Sequence, residues 1–231
     1  MNKVEIISKA IEDGIRQCQW LPGSKLPGQL ALMERFDVSR TCLREAMTGL
    51  EMRGLITSRH GSGCYVNNLF ELQFAEPMFG VELDSVALQL SIMEMRLVLE
   101  GEAVQYVCER ATDDELAVIA HGYKAIGQRR GNGLQRAKAD LKFHMLIAES
   151  SHCLIVVSLS QLFYPQFFNA IYGSLYNVAG HDLSLSDEVS IVISEQHRAI
   201  YEAVMLRDGD AAKTAAQEHI GYSMSLLESR V

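Results

Sequence analysis

Apolar residues recur at helical spacing along most of this chain, with one short interruption. Val4, Ile7, Ile11, Ile15 and Cys18 fall on one face and predict a helix from Val4 to about Cys18, ended by Leu21-Pro22-Gly23. A short apolar helix, Gln29 to Phe36, meets a break at Asp37-Val38. A second opens at Ser39, a side chain suited to accept from the first-turn amides, and runs to Arg53 ahead of Gly54. The interruption comes next. Leu55-Ile56-Thr57 and Cys64-Tyr65-Val66 are β-rich runs on either side of His60-Gly61-Ser62-Gly63. Helix, tight turn, helix and glycine-tipped ribbon, in that order, predict a winged helix-turn-helix, which lays its second helix in a DNA major groove.

Beyond Asn67 the strand signal stops. Residues 68–84 hold Pro77 and Gly80 without a sustained period and read as linker, with room for one short helix. From Ser85 the pattern is helical throughout: Ser85–Arg110; a helix from the capping box at Thr112-Asp113-Asp114-Glu115 to about Arg130; Leu134–Glu149; a very apolar stretch from Leu154 to about Tyr176, kinked or divided at Pro165; Asp187–Leu206; and Asp210–Leu227. Gly131-Asn132-Gly133 reads as a turn and residues 178–184 as a loop. The expected fold is therefore mainly α: a winged domain over 1–67, a linker over 68–84, and an antiparallel all-α bundle of six or seven helices over 85–231.

Charge changes this picture only slightly. The net charge of −8 looks wrong for a DNA binder, but residues 1–67 hold nine Lys/Arg against seven Asp/Glu, a balance of +2. The remainder carries 12 basic and 22 acidic residues, so the acidity belongs to the bundle. A weakly basic head implies modest non-specific affinity for phosphate. Hydrophobic residues make up 48% and charged residues 22%, as in a soluble globular protein. Five scattered cysteines without a CxxC pair suggest reduced thiols in a cytoplasm. The charged N-terminus carries no secretory signal, and the apolar run at Cys153–Leu159 is too short to span a bilayer.

Four polar residues stand where a bundle wants apolar ones. Asp140 and His144 are one turn apart on a stripe with Ala137, Leu141 and Ala148. His197 lines up with Ile193, Ile200 and Val204, and His219 with Ala212, Ala215, Tyr222 and Leu226. Any one of these histidines alone reads as an ordinary hydrogen-bonded residue. A buried carboxylate with three inward imidazoles is costly unless the groups satisfy one another, and a divalent cation (Zn, Ni, Mn or Fe) would do so. His121, His152 and His181 lie at polar or loop positions and are expected to face solvent. Arg96 and Glu100, four apart on the long helix, are open to two readings: a surface ion pair, or an inward guanidinium that grips a ligand carboxylate. In the winged unit Arg40, Thr41 and Arg44 occupy the first turns of the second helix, within reach of phosphates or guanine edges. Arg59 and His60 lead into the wing, where Gly61 and Gly63 permit a tight tip. Arg44 or Arg53 could instead pair with Glu45 or Glu51. No GxSxG, P-loop, HExxH or GxGxxG occurs, so catalysis is not expected.

Leu21-Pro22-Gly23, Leu26-Pro27, Val38-Ser39-Arg40-Thr41, Leu43-Arg44-Glu45-Ala46, Gly54-Leu55-Ile56 and the Gly61-x-Gly63 wing resemble the GntR family of bacterial transcription regulators. Met95 to Glu100, Asp140-Leu141-Lys142-Phe143-His144, Glu195 to Ile200 and Glu218-His219 resemble its FadR-type effector domain, also called FCD. Leu99-Glu100-Gly101-Glu102 and the region 163–176 look most like regulators of glycolate, lactate or pyruvate metabolism. The resemblance implies a cytoplasmic homodimer, probing a pseudo-palindromic double-stranded operator with its two winged domains. It also implies a divalent ion on Asp140, His144, His197 and His219, with a small carboxylate beside it held from Arg96. One position departs: members usually carry an arginine where Leu30 stands here, which removes one phosphate contact. The expected function is a repressor switched by a 2-hydroxy or 2-keto acid. The alternatives are a regulator for which the metal itself is the signal, and a helical metalloenzyme.

Overall fold

The computed structural model describes residues 2–70, 86–127, 133–168, 177–178, 181–182 and 187–229. Most of the expected linker, the far ends of the helices predicted to reach Arg130 and Tyr176, the Gly131-Asn132 step and parts of the 178–184 loop lie outside the described residues. The chain divides into two compact units: residues 1–77 with 153–158, and residues 78–152 with 159–231.

In the first unit α1 spans Lys3–Arg16, and the Asn2 side chain accepts from Glu5 N while Glu5 accepts from Asn2 N. The predicted helix ran two residues further, but Cys18 turns to φ 57° and the chain doubles back. Trp20 then lies against α1 at Gly14, where an added Cβ would stand 2.5 Å from the indole. Helix α2 is Gln29–Phe36 and α3 is Arg40–Met52. Asp37, at φ 49°, makes the turn between them, and Ser39 Oγ accepts from Cys42 N at 3.3 Å. Ile7, Ile11 and Ile15 of α1, Leu32 of α2 and Leu43, Ala46 and Leu50 of α3 form one buried core. Gly54, at φ +71°, ends the helical run. Strand β1, Ile56–Arg59, pairs antiparallel with β2, Gly63–Val66, from Ile56↔Val66 to Arg59↔Gly63. Lys25 adds a single bridge to Tyr65.

The second unit holds α4 (Val86–Arg110), α5 (Asp113–Gly127), α6 (Gly133–Ser150), the later part of α7 (Leu154–Leu162), α8 (Asp187–Met205) and α9 (Gly209–Glu228). Helix α4 packs along α9 and α6, and α8 along α9 and α5. Gly122 lets α5 approach α6, since a Cβ there would lie 2.6 Å from Leu146 Cδ1. Helix α7 stops at Leu162 and the chain is helical again over 164–168, so Pro165 divides the apolar stretch as its missing N–H requires. Thr112 and Glu115 form the expected reciprocal cap at the start of α5. Arg207 donates to the Cys108 and Ala111 carbonyls, closing the C-terminal end of α4.

Three expectations need correcting. Strand structure does recur after Val66: β3, Asn177–Val178, pairs with β4, His181–Asp182. Two residues per strand are too few to leave an alternating pattern in sequence. His152 is half-buried, not exposed; its Nε2 meets Glu115 Oε2 at 3.0 Å, and that contact joins the end of α6 to the cap of α5. Arg53 pairs with Glu12 of α1, while Glu51 accepts from Ser58, so neither Arg53 nor Arg44 takes the Glu45 or Glu51 partner considered above. None of the five cysteines is joined in a disulfide among the described residues. No helix among the described residues is long and apolar enough to cross a membrane.

Candidate functional site

Helix α6 carries Asp140 and His144 on successive turns, α8 carries His197, and α9 carries His219. The stripes that pointed them inward also bury them: none of the four is more than 4% exposed. One ligand-type atom from each lies within 4.8 Å of the other three. His144 Nε2 stands 3.2 Å from His197 Nε2, and His197 Nε2 stands 2.9 Å from Asp140 Oδ1. Two ligands about 2.1 Å from a shared ion and at right angles to each other would be about 3 Å apart.

The outer contacts set the tautomers. His144 Nδ1 meets Glu100 Oε2 at 2.5 Å, His197 Nδ1 donates to the Ile193 carbonyl at 3.0 Å, and His219 Nδ1 donates to Gln196 Oε1 at 3.2 Å. With each Nδ1–H directed outward, each neutral imidazole keeps its lone pair on Nε2. In His144 and His197 those lone pairs face one another and the Asp140 carboxylate, an arrangement that repels unless a cation lies between them. Burial and the neighbouring His197 and His144 hold His219 well below the usual imidazole range, and burial lowers His144 despite Glu100. Burial presses Asp140 toward its neutral form, but His197, His144 and Arg96 outweigh it and keep the carboxyl far below its ordinary value. Neutral imidazoles around an ionised acid form a donor set that could hold a divalent ion. Asp140 Oδ2 is buried with no hydrogen-bond partner among the described residues.

Arg96 is fully buried, which removes the surface-pair reading. Its Nε pairs with Glu100 Oε1, while its Nη2 is buried without a partner among the described residues. Glu100 thus spends one oxygen on Arg96 and the other on His144, and those two partners hold its carboxyl below the ordinary value against the cost of burial.

In the winged unit Arg40, Thr41 and Arg44 are all exposed on the first turns of α3. Arg59, His60, Gly61 and Gly63 are exposed along the wing, and the Arg59 guanidinium lies over the Tyr65 ring at 4.5 Å. Gly61 and Gly63 adopt φ +70° and +125°. Leu30 is 75% exposed at the start of α2. Two residues had no place in the sequence reading: Gln196 orients His219 from another helix, and Lys25 lies across Gly63 with its Cε where a Cβ would be 2.7 Å away. Glu100, expected beside Arg96, also reaches a metal-ligand candidate.

Comparison with known proteins agrees with this architecture. Residues 3–66 match the model for bacterial regulatory proteins of the gntR family, and residues 91–222 match the FCD domain. The Glc operon transcriptional activator of Escherichia coli K12 is 27% identical over 221 residues, covering 94% of this chain and 84% of that protein. A second E. coli K12 protein, named as a candidate regulator of the L-lactate dehydrogenase operon, is 26% identical over 204 residues, with 87% and 76% covered. The solved structure of Streptococcus agalactiae GntR shares the fold at a TM-score of 0.54 and 24% identity, covering 96% of this chain and 99% of that one. A winged helix-turn-helix followed by an FCD helical bundle makes this chain a member of the GntR family of bacterial transcription regulators.

Proposed function

We propose that this regulator binds a pseudo-palindromic operator as a homodimer and releases it when a small 2-hydroxy or 2-keto acid enters the bundle. Arg40, Thr41 and Arg44 would contact the major groove, with Arg59, His60, Gly61 and Gly63 placing the wing against the adjoining backbone. Asp140, His144, His197 and His219 would hold a divalent ion. The observation that carries this reading is their convergence with every imidazole Nδ1 committed outward. When bound, the ion supplies a Lewis-acid centre that can take a carboxylate and an adjacent oxygen. Arg96 Nη2 offers a buried donor to the same acid, and Glu100 holds that guanidinium in place. The relative named for the L-lactate dehydrogenase operon supports an acid of this class, since lactate is a 2-hydroxy acid. The direction proposed is repression relieved by the acid.

Switching requires only that the acid favour one arrangement of the bundle over another. The test is operator affinity by fluorescence anisotropy, with L-lactate, glycolate and pyruvate titrated in the presence of divalent ion or chelator. One of these acids should weaken DNA binding by roughly 5- to 150-fold, and only with the ion present. An effect of the ion alone, with none from any acid, would replace this reading with a metal sensor.

A further inference from the structure

The buried charges in the bundle are few enough to count. Among the described residues the only buried Asp, Glu, Lys or Arg side chains are Arg96, Glu100 and Asp140. The three buried imidazoles of the cluster each give Nδ1–H to an outward acceptor and are neutral as ligands. Over the described residues the buried charge is therefore −1. Loading the four ligands with a divalent ion changes the sum to +1. One further negative charge brings it to zero, and two bring it to −1. Without the ion, a single anion would make it −2. Net charge is expensive in a site cut off from water, so these sums rank the occupancies.

Hydrogen bonding points the same way. Glu100 already occupies the Nε edge of Arg96, and Nη2 is the guanidinium atom left buried without a partner among the described residues. Nη2 can therefore donate to one oxygen of an incoming carboxylate. The same Glu100 backs His144 with its other oxygen, so the side chain that limits Arg96 also strengthens a metal ligand.

Resting on the metal-site reading above, we infer that this pocket selects a monocarboxylate by charge, that the acid binds only after the ion, and that Glu100 sets this selection. Glu100 is a specificity-determining and positioning residue. Glu100→Gln raises every sum by one. The ion-loaded variant stands at +2, at +1 with a monocarboxylate and at zero with a dicarboxylate. Its preference should therefore invert.

Isothermal titration calorimetry on the full-length protein tests this with matched probes. L-lactate and L-malate share a 2-hydroxy acid head and differ by one carboxylate. Ion binding is measured first, with no acid present. Wild-type protein loaded with ion should then bind lactate at least about tenfold more tightly than malate, and chelated protein should bind neither. E100Q loaded with ion should favour malate. Because malate is the larger acid for both proteins, a reversal reports charge and not size. Equal or tighter malate binding by the wild type overturns the inference while leaving the ion site intact. Undiminished lactate binding after chelation, or no acid binding by loaded protein, also overturns it. Absence of ion binding in the first titration removes the underlying reading as well. If E100Q does not fold, the wild-type comparison decides alone.

Discussion

Asp140→Asn should abolish most of the stability that the protein gains from a divalent ion. The substitution keeps the side chain's volume and removes its charge. In the wild type, Asp140 Oδ1 faces His197 Nε2 at 2.9 Å, and that nitrogen faces His144 Nε2 at 3.2 Å, so the lone pairs gain a shared cation only when the ion binds. An ion at about 100 times its Kd stabilises the folded state by about 2.7 kcal/mol. For a unit of this size each kcal/mol moves Tm by roughly 2–4 °C, which predicts a rise of about 5–11 °C. Losing even a supporting contact costs metal affinity on the order of 10- to 100-fold, and losing the anionic ligand should cost at least the upper figure. At the same ion concentration the variant would then sit near its Kd and gain only about 0.4 kcal/mol, or about 1–2 °C. The assay is thermal denaturation of chelated and ion-loaded samples of both proteins. The readout is the increment on loading, because the chelated baseline also changes with the mutation. An equal increment in Asp140→Asn would refute the assignment of Asp140 as a ligand.

Other predictions follow from the same geometry. Arg40→Ala and Arg44→Ala should each lower the slope of log affinity against log salt by about one and weaken binding across sequences; unchanged slopes would place both side chains off the DNA. Chelated protein should lose stability on acidification in two stages. His219 has a folded-state pKa below its unfolded value of about 6.5, so the unfolded chain takes up a proton that the native site refuses as pH falls through that range. Asp140 contributes stability present above about pH 3.9 and lost as pH falls below it, since its folded-state value is depressed. Urea unfolding from pH 8 to 4 measures the first stage, and stability flat from pH 7 to 5 would contradict it. Gly122→Val should destabilise the bundle by about 1–3 kcal/mol, because its Cβ would meet Leu146 Cδ1 at 2.6 Å; an unchanged urea midpoint would mean that α5 and α6 are free to part.

The winged unit was legible because its signals are local. Ser39 caps α3, Gly54 ends it, and Gly61 and Gly63 take the positive φ that a tight tip demands. The four ligand candidates were legible for a different reason: polar side chains on apolar helical stripes are conspicuous, and burial follows the stripe. Partners across helices were not legible. An i,i+4 Arg96–Glu100 pair reads the same on a surface as in a core, and only the packing of α4 against α6 brings Glu100 to His144. Gln196 sits beside His197 in sequence yet serves His219 on α9, a contact that helix packing alone creates. Lys25 stands in an irregular stretch between Pro22 and Pro27, and its place on the wing depends on the bridge to Tyr65. The same holds for residues 153–158, which group with the first unit although they open a helix assigned by pattern to the bundle.

Elemental analysis of the purified full-length protein, beside a His197→Ala/His219→Ala variant confirmed folded by circular dichroism, is the most direct test of the sensor. After loading and exhaustive dialysis the wild type should retain about one divalent ion per chain and the variant almost none. Wild-type protein that keeps no stoichiometric ion, or a variant that keeps as much, would contradict the account.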